Sequence, residues 1–199
     1  NFSCLHQFEI FMTAARIAVL CIFIFPRAAH SGALLLGPGL GLERINDTFD
    51  VDLKIIRGLY RFDSGITIGG VAMFGYVDFL DIPDEVRYEA IIGYTTVSPR
   101  LKLAPYVFLS KGLRSYFSSQ NDVNYHTATV GTRYNFNERL YFDGSYRYRN
   151  TKEISWESNL YSIGLGYNVS NSFTVQINIG RTLGDYRSEQ ASVAFISRF

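Results

Sequence analysis

The segment GTRYNFNERLYFDGSYRYRN, residues 131–150, contains the core of two alternating runs separated by a polar turn. In the first run, over 125–136, apolar or aromatic residues occupy one phase: Ala128, Val130, Tyr134 and Phe136. Small or charged residues occupy the other: Thr127, Thr129, Gly131 and Arg133. The second run, over 140–149, repeats the pattern, with Leu140, Phe142, Tyr146 and Tyr148 opposed to Asp143, Ser145, Arg147 and Arg149. A period of two predicts a β-hairpin with one apolar and one polar face, in which the turn sets Arg133 opposite Asp143.

The same alternation recurs about ten times between residue 32 and residue 199. It predicts an all-β, up-and-down antiparallel sheet of about ten strands. Eight strands is the alternative, because the region 50–79 is irregular. There the apolar residues switch from odd positions, such as Val51 and Ile55, to even positions, such as Ile56 and Tyr60. Such a switch indicates a β-bulge. The run 66–79 is apolar in both phases, so the pattern gives it no orientation.

The connections between these runs alternate in length. Short ones carry turn residues, at 62–65, 98–99, 135–138 and 169–172. Longer polar ones lie at 43–50, 79–87, 111–124, 150–156 and 183–190. Every second connection of a meander lies at the same end, so the pattern predicts tight turns at one end and long loops at the other. A two-residue turn at 98–99 would set Lys102 opposite Thr95.

The closing stretch ASVAFISRF, residues 191–199, alternates up to its final aromatic residue. It resembles the C-terminal β-signal of Gram-negative outer-membrane proteins, with Phe199, Phe195 and Val193 as its apolar positions and Ser197 where the family often has an aromatic residue. The hairpin at 131–150 likewise resembles the small barrels of the OmpA/OmpX and opacity type. The resemblance covers roughly 33–199. It implies a closed transmembrane barrel in the outer membrane, whose partners are the lipid bilayer and the barrel-assembly machinery.

A physical argument supports the same fold. A β-protein can span hydrocarbon only as a closed barrel, because no backbone N–H or C=O can remain unpaired there, and strands of about 9–11 residues suffice. The alternative is a soluble lipocalin-like barrel with the apolar face inward. Charges such as Arg133, Asp143 and Arg147 on the polar face favour the membrane form, as do aromatic residues near strand ends, which are typical of interfacial girdles.

Residues 1–31 form a separate segment in this interpretation. From Met12 they read as a cleavable signal peptide: a basic start, an apolar run over 17–25, and small residues near Ser31. Residues 32–199 then form the barrel. Both cysteines, Cys4 and Cys21, lie in the removable part. The remainder carries 17 basic and 17 acidic residues after removal of Arg16, Arg27 and Glu9, so nothing indicates binding to nucleic acid.

The sequence contains no arrangement of residues typical of a catalytic site, and we expect no catalytic residue, cofactor or metal. The one histidine after residue 31, His126, is in phase with the apolar residues Ala128 and Val130, away from any inward serine. Envelope-lipid hydrolysis is therefore a low-ranking alternative. Asp81, Asp84 and Glu85 form an acidic cluster that loop solvation explains, with Ca²⁺ binding as a minor alternative.

The polar face carries charges that a narrow lumen would bring together: Glu89, Lys102, Arg133, Asp143, Arg147 and Arg149. We interpret them as a structural ion-pair network, with the lining of an ion path as the alternative. The leading functional hypothesis is a non-enzymatic envelope or surface-binding protein that uses its long loops. Its candidate contacts are aromatic: Tyr116, Phe117, Trp156 and Tyr186. A narrow, porin-like channel for ions or small solutes is the second hypothesis.

Overall fold

The computed structural model describes residues 32–77, 84–96, 102–116, 121–151, 156–185 and 187–199, without the side chains of Phe49 and Asn121. These residues form ten strands: β1 Gly32–Ile45, β2 Phe49–Phe62, β3 Ile66–Val77, β4 Glu85–Thr95, β5 Leu103–Tyr116, β6 Asn121–Asn135, β7 Leu140–Thr151, β8 Trp156–Ser170, β9 Phe173–Gly184 and β10 Ser188–Arg198. The predicted segment 1–31 lies outside them. No helix in the described part of the chain is long and apolar enough to cross a bilayer.

The strands form a closed antiparallel barrel in chain order, so the prediction of ten strands is confirmed. Closure joins β1 to β10. The Leu34 N–H donates to the Phe199 carbonyl at 2.9 Å, and the Phe199 N–H donates to the Leu34 carbonyl at 2.9 Å. The pairing continues from Leu36 opposite Ser197 to Ile45 opposite Ser188. The terminal residue Phe199 thus takes part in closing the barrel.

The apolar face of the strands is the outer face. Leu40 on β1 and Ile92 on β4 are 60% and 57% exposed, and their counterparts on the other strands are also exposed: Leu109, Val130, Ile163 and Ile177. Charged residues of the opposite phase are buried inside. A lipocalin-like barrel would have the reverse orientation, so that alternative is wrong. An apolar exterior of this extent is stable only in contact with lipid or an equivalent apolar phase.

The two ends of the barrel differ in their outer residues. At the end that holds residues 32 and 199, here called the terminal end, exposed aromatic side chains form a girdle: Tyr94, Phe136, Tyr167 and Phe199. Toward the other end, here called the distal end, polar residues take the outward positions, as Arg181 does after Ile179 on β9. On β1 the outward apolar residues run from Leu34 to Leu42. At about 3.3 Å per residue and a tilt near 40°, this band is about 20–25 Å tall, which suits an outer membrane.

The predicted contrast between tight turns and long loops is wrong, because four of the five predicted long loops shrink to three or four residues and the predicted turn at 98–99 becomes the seven-residue connection 96–102. Of the predicted loops 111–124 and 150–156, only 117–120 and 152–155 remain between strands. β1 ends at Ile45 and β2 begins at Phe49, so only 46–48 remain of the predicted loop 43–50. β9 and β10 likewise leave only 185–187 of the predicted loop 183–190. The polar residues assigned to these loops belong to strands that continue beyond the apolar band, where outward polar side chains meet water or headgroups.

The predicted bulge in the region 50–62 is also wrong. β2 pairs with β3 without a register shift from Val51 opposite Val77 to Arg61 opposite Thr67. Val51 and Leu53 face the lumen and are 3% and 4% exposed, while Asp52 and Lys54 point outward. The two faces exchange polarity at the distal end because the exterior there is no longer apolar. This exchange of polarity between the two faces, and not a bulge, causes the change of phase in the sequence.

The pairing of β4 with β5 differs from the prediction. Thr95 lies opposite Tyr106, and the Thr96 N–H donates to the Pro105 carbonyl at 3.1 Å. Lys102 therefore does not face Thr95. It precedes β5 with an exposed side chain, because the connection is longer than two residues.

Candidate functional site

The lumen at the distal end contains a buried ionic group, here called the distal cluster: Glu43, Glu85, Arg87 and Arg114. Arg87 Nη2 donates to Glu43 Oε2 at 2.9 Å, and Arg114 Nε donates to Glu85 Oε2 at 2.7 Å. Arg87 also contacts Glu85, which links the four side chains in a chain. The Ser188 hydroxyl donates to Glu43 Oε1 at 2.8 Å. Glu43 and Arg87 are each only 3% exposed.

The distal cluster crosses the lumen. Glu43 lies on β1 and Arg87 on β4, and β2 and β3 separate these strands in the barrel wall. The bond between them therefore passes through the interior. The sequence pattern did not predict this group, because Glu85, Arg87 and Arg114 lie within the predicted loops 79–87 and 111–124. The available signal was the phase: Glu85, Arg87 and Glu89 alternate regularly.

A second group, the central cluster, surrounds Glu89. The Tyr125 hydroxyl donates to Glu89 Oε1 at 2.9 Å, and the Ser110 hydroxyl donates to Glu89 Oε2 at 3.3 Å. Arg149 Nη2 and Arg147 Nη1 lie 3.7 Å and 4.0 Å from Glu89 Oε1. Three of the residues predicted to share the lumen, Glu89, Arg147 and Arg149, are thus brought together on β4 and β7.

A third group, the terminal cluster, surrounds Asp143. The Tyr106 hydroxyl donates to Asp143 Oδ1 at 2.6 Å, and Arg133 Nη2 donates to Asp143 Oδ2 at 3.4 Å. The Arg133 guanidinium lies over the Tyr141 ring, 3.9 Å from its centroid. Arg133 is directly opposite Asp143 in the β6–β7 pairing, as the hairpin pattern predicts.

Arg57 on β2 points into the lumen between the central and terminal clusters. The groups that act on its guanidinium electrostatically are Glu89, Asp143, Arg147 and the Tyr106 hydroxyl. Among the described residues, no carboxylate oxygen lies within 4.0 Å of the Arg57 guanidinium; Glu89 and Asp143 form their ion pairs with other arginines. Its side chain is exposed, so the lumen has open space at this depth.

Positive charge exceeds negative charge on the inward strand positions of the described residues. Eight arginines occupy them: Arg57, Arg61, Arg87, Arg114, Arg133, Arg147, Arg149 and Arg198. Four carboxylates occupy them: Glu43, Glu85, Glu89 and Asp143. An ion in this lumen therefore meets a field that favours anions.

Apolar side chains fill part of the same lumen. Five of them are inward and almost fully buried: Val51, Leu53, Val71, Val123 and Leu160. Together with the distal and central clusters they make the distal half of the barrel a packed interior. Barrels of about eight strands are filled in this way, whereas open aqueous channels need about 16–18 strands.

Three inward tyrosines each lie over a glycine on the neighbouring strand. The pairs are Tyr125 with Gly112, Tyr106 with Gly131, and Tyr141 with Gly166, and each pair is directly opposite in its ladder. A Cβ on any of these glycines would lie within 2.6 Å of atoms of the tyrosine ring. The glycines provide the space that lets the rings lie flat against the wall. Each hydroxyl then reaches a polar partner: Glu89, Asp143 or Gln176.

The remaining predicted residues are dispersed. His126 is exposed on the outer face of β6, opposite Lys111 and Asn150. Asp84 Oδ2 accepts a bond from the Val77 N–H at 2.7 Å. Asp81 lies outside the described residues, and no cluster of three or more metal-ligating side chains occurs within them.

The aromatic contact candidates occupy different environments. Tyr116 ends β5 and is half-buried, with the Arg114 guanidinium 4.6 Å from its ring centroid. Trp156 begins β8 at the distal rim and is exposed. Phe117 and Tyr186 lie outside the described residues. In the predicted assembly signal, Phe195 and Phe199 are exposed on the outer face, and Val193 lies between Leu40 and Ile177.

No protein-family model matches the chain, and no curated protein matches it. Solved structures do. The COG4313 outer membrane channel from Pseudomonas putida F1 matches with a TM-score of 0.56 and 8% identity, over 85% of this chain and 96% of that one. The beta domain of the Bordetella autotransporter BrkA matches with a TM-score of 0.53 and 10% identity, over 85% and 100%.

The chain has the fold of a small outer-membrane β-barrel. A third match, the NanC porin, has a TM-score of 0.45 and 12% identity, over 81% of this chain and 98% of that one. At these identities the first two matches show the barrel fold alone, because one fold supports many functions.

Proposed function

We propose that this protein is a plugged outer-membrane barrel with a non-enzymatic, envelope-structural or surface-binding role. The observation that supports it is the packed distal half of the lumen, where Glu43, Glu85 and Arg87 are each at most 5% exposed. These side chains connect opposite walls and leave solutes no wide path. Because four of the five distal connections have only three or four residues, we expect a partner to contact the strand-end rim near Trp156. The bilayer and the barrel-assembly machinery are its expected partners.

Planar-bilayer recording tests this proposal. We expect the refolded wild-type barrel to insert without steady openings. The double variant Glu85→Ala/Arg87→Ala removes the centre of the distal cluster and should produce openings. Its matched control is Arg44→Ala/Asp50→Ala, which removes an exposed ion pair at 2.7 Å on the outer face and should remain silent. Steady openings of the wild type would contradict the plugged barrel.

The excess of inward arginine favours a second candidate, a narrow anion-selective channel. Under a salt gradient, such a channel would show a reversal potential displaced toward the chloride potential. Arg57→Glu, at the open part of the lumen, should reduce or reverse that selectivity. Anion-selective openings of the wild type would support the channel and contradict the plugged barrel.

The envelope role has a separate test in cells. Loss of a structural barrel should make the outer membrane more permeable to detergent and to large antibiotics. Complementation by the wild type and by the Arg44→Ala/Asp50→Ala control should restore the barrier. If the deletion strain is no more permeable than the parent strain, the structural role is wrong and surface binding remains as the proposal.

A further inference from the structure

Pro38 lies in the interior of β1, at the centre of the outward apolar run from Leu34 to Leu42. Proline has no backbone N–H, so within sheets it is found essentially at edges and bulges. A closed barrel has no edge, and β1 keeps one register with β10 on both sides of Pro38. The proline therefore removes a hydrogen bond at a depth where the surrounding hydrocarbon cannot replace it.

The missing bond belongs to the seam between β1 and β10. The Leu34 N–H donates to the Phe199 carbonyl at 2.9 Å, and the Asn46 N–H donates to the Arg187 carbonyl at 3.0 Å. Positions 34 and 46 have the same parity, and the register does not shift between them. The even-numbered residues of β1 therefore direct their N–H groups toward β10, and Pro38 is one of these positions.

Pro38 leaves the Phe195 carbonyl without its ladder donor, because the register on both sides places Phe195 opposite Pro38. The direct pairing, which reaches Leu36 opposite Ser197, is interrupted at this point. Between Pro38 and the terminal end, the hydrogen-bonded positions of β1 are Leu34 and Leu36. The stretch from Leu34 to Pro38, here called the slit, is about 13 Å long at 3.3 Å per residue. It is the part of the seam that opens most easily.

Both faces of the seam beside the proline are uncharged. On the outer face, Leu36 and Phe195 point toward the hydrocarbon. On the inner face Gly37 has no side chain, and the inward residues next to it are Leu35 and Ile196. An apolar molecule that crosses the seam here therefore meets no charged side chain.

The lumen behind the slit has open space and an apolar wall. Leu35, Leu59 and Ile196 point inward and are only half-buried, whereas the inward apolar residues of the distal half are almost fully buried. A Cβ on Gly58 would lie 3.5 Å from the Leu36 side chain, which places the neighbouring Leu59 at the height of the slit. These half-exposed side chains border a space that hydrocarbon can fill.

We propose that the slit opens and admits an acyl chain of a bilayer lipid into the lumen. The occupant follows from the position, because hydrocarbon surrounds the outer face at this depth and the wall behind the slit is apolar. The slit extends toward the terminal end, so a lipid can insert a chain while its headgroup remains at the interface. Lipid labelling tests the slit and conductance tests the distal plug, so this proposal and the proposed function can fail separately.

Photolabelling from the bilayer tests the slit. The full chain is folded into vesicles of a phosphatidylcholine that carries a diazirine at the end of one acyl chain, and mass spectrometry locates the adducts. The outward Ile177 is the internal reference, since it faces the hydrocarbon. We expect adducts on the inward Leu59 and Ile196 of the wild type. Pro38→Ala restores the donor to the seam and should lower the ratio of inward to outward adducts about twofold to tenfold.

Pro105→Ala is the matched control. Pro105 is also an exposed, outward strand proline, but its nitrogen faces the end of β4, where the Thr96 N–H donates to the Pro105 carbonyl at 3.1 Å. This variant should label like the wild type. The proposal is overturned if the wild type shows no inward adducts, or if Pro38→Ala and Pro105→Ala give the same ratio.

A disulfide across the slit provides a second test, in a background without the two native cysteines. Leu36→Cys/Ser197→Cys joins an outward pair that is directly opposite in the seam. Its control, Ile92→Cys/Leu109→Cys, joins an equivalent outward pair of β4 and β5. We expect oxidation to abolish inward labelling in the seam variant alone and reduction to restore it. Inward labelling that persists in the oxidised seam variant would show that lipid enters elsewhere and would overturn the slit.

Discussion

Glu85 is the residue on which the distal cluster depends, because one carboxylate contacts both Arg87 and Arg114. We expect Glu85→Gln to destabilise the barrel by about 3–5 kcal/mol, since it removes the negative charge that two buried guanidinium groups share. The control Asp50→Asn weakens an ion pair whose side chains are 59% and 67% exposed, and it should change stability by less than about 1 kcal/mol. Reversible urea unfolding measures both. Equal effects would show that the distal cluster is not an electrostatic core.

At the residue scale, the sequence predicts only the pairs that a short turn determines. Arg133 and Asp143 flank one hairpin turn, so counting along the chain places them opposite each other. Glu43 and Arg87 meet across the lumen from strands that are not neighbours. Their contact depends on the diameter and stagger of the closed barrel, which no local pattern contains.

The tyrosine–glycine pairs connect neighbouring strands, since each ring lies over a glycine on the adjacent strand. We expect Gly131→Ala to destabilise the barrel by about 1–3 kcal/mol, because a Cβ there meets the Tyr106 ring and displaces its hydroxyl from Asp143. Gly144→Ala is the control, since its Cβ would find its nearest atom, on Phe142, at 3.8 Å. That change should be neutral or stabilising by up to about 1 kcal/mol.

Unfolding midpoints of the two alanine variants decide between these expectations. The hydroxyl displacement has its own readout in the double variant Gly131→Ala/Tyr106→Phe. If the displaced bond matters, the double variant should lose less than the sum of the two single variants. Strict additivity would show that Gly131→Ala leaves the bond from the Tyr106 hydroxyl to Asp143 in place.

Strand faces could be predicted where the outward residues are all apolar or aromatic, as over 161–169 on β8 and 173–179 on β9. The prediction of a bulge failed on β2 because Val51 and Asp52 lie beyond the apolar band, where the outside favours polar residues and the inside is a packed core. The loops at 43–50 and 183–190 were predicted too long for the same reason. A polar run can equally be a strand that has left the membrane, and period alone does not distinguish the two.

The position of the whole barrel in the bilayer follows from its outer face. Ile177 lies in the middle of the outward apolar run on β9, and Leu183 lies beyond Arg181 near the distal end. Both are exposed, at 52% and 40%. We expect Ile177→Arg to destabilise the barrel in phospholipid vesicles by about 2–4 kcal/mol and Leu183→Arg by about 0–1 kcal/mol, because the cost of a charge depends on its depth.

Urea titrations in vesicles measure this difference. The same two variants folded in detergent should differ less, since a micelle adapts its shape around a charge. Equal losses in vesicles would mean that the apolar band does not define the membrane position.

Pairing β1 with β10 carries the largest loss of chain entropy of any strand pairing in the barrel. Every other strand pair joins neighbours in sequence through a short connection, whereas the bonds between Leu34 and Phe199 join the two limits of the barrel. By the logarithmic scaling of loop closure, joining ends more than 150 residues apart costs about 2–3 kcal/mol more than closing a hairpin. The hairpins can form early with little entropic loss, and the seam is the natural last step. Until it forms, the sheet has two open edges, and closure removes both at once.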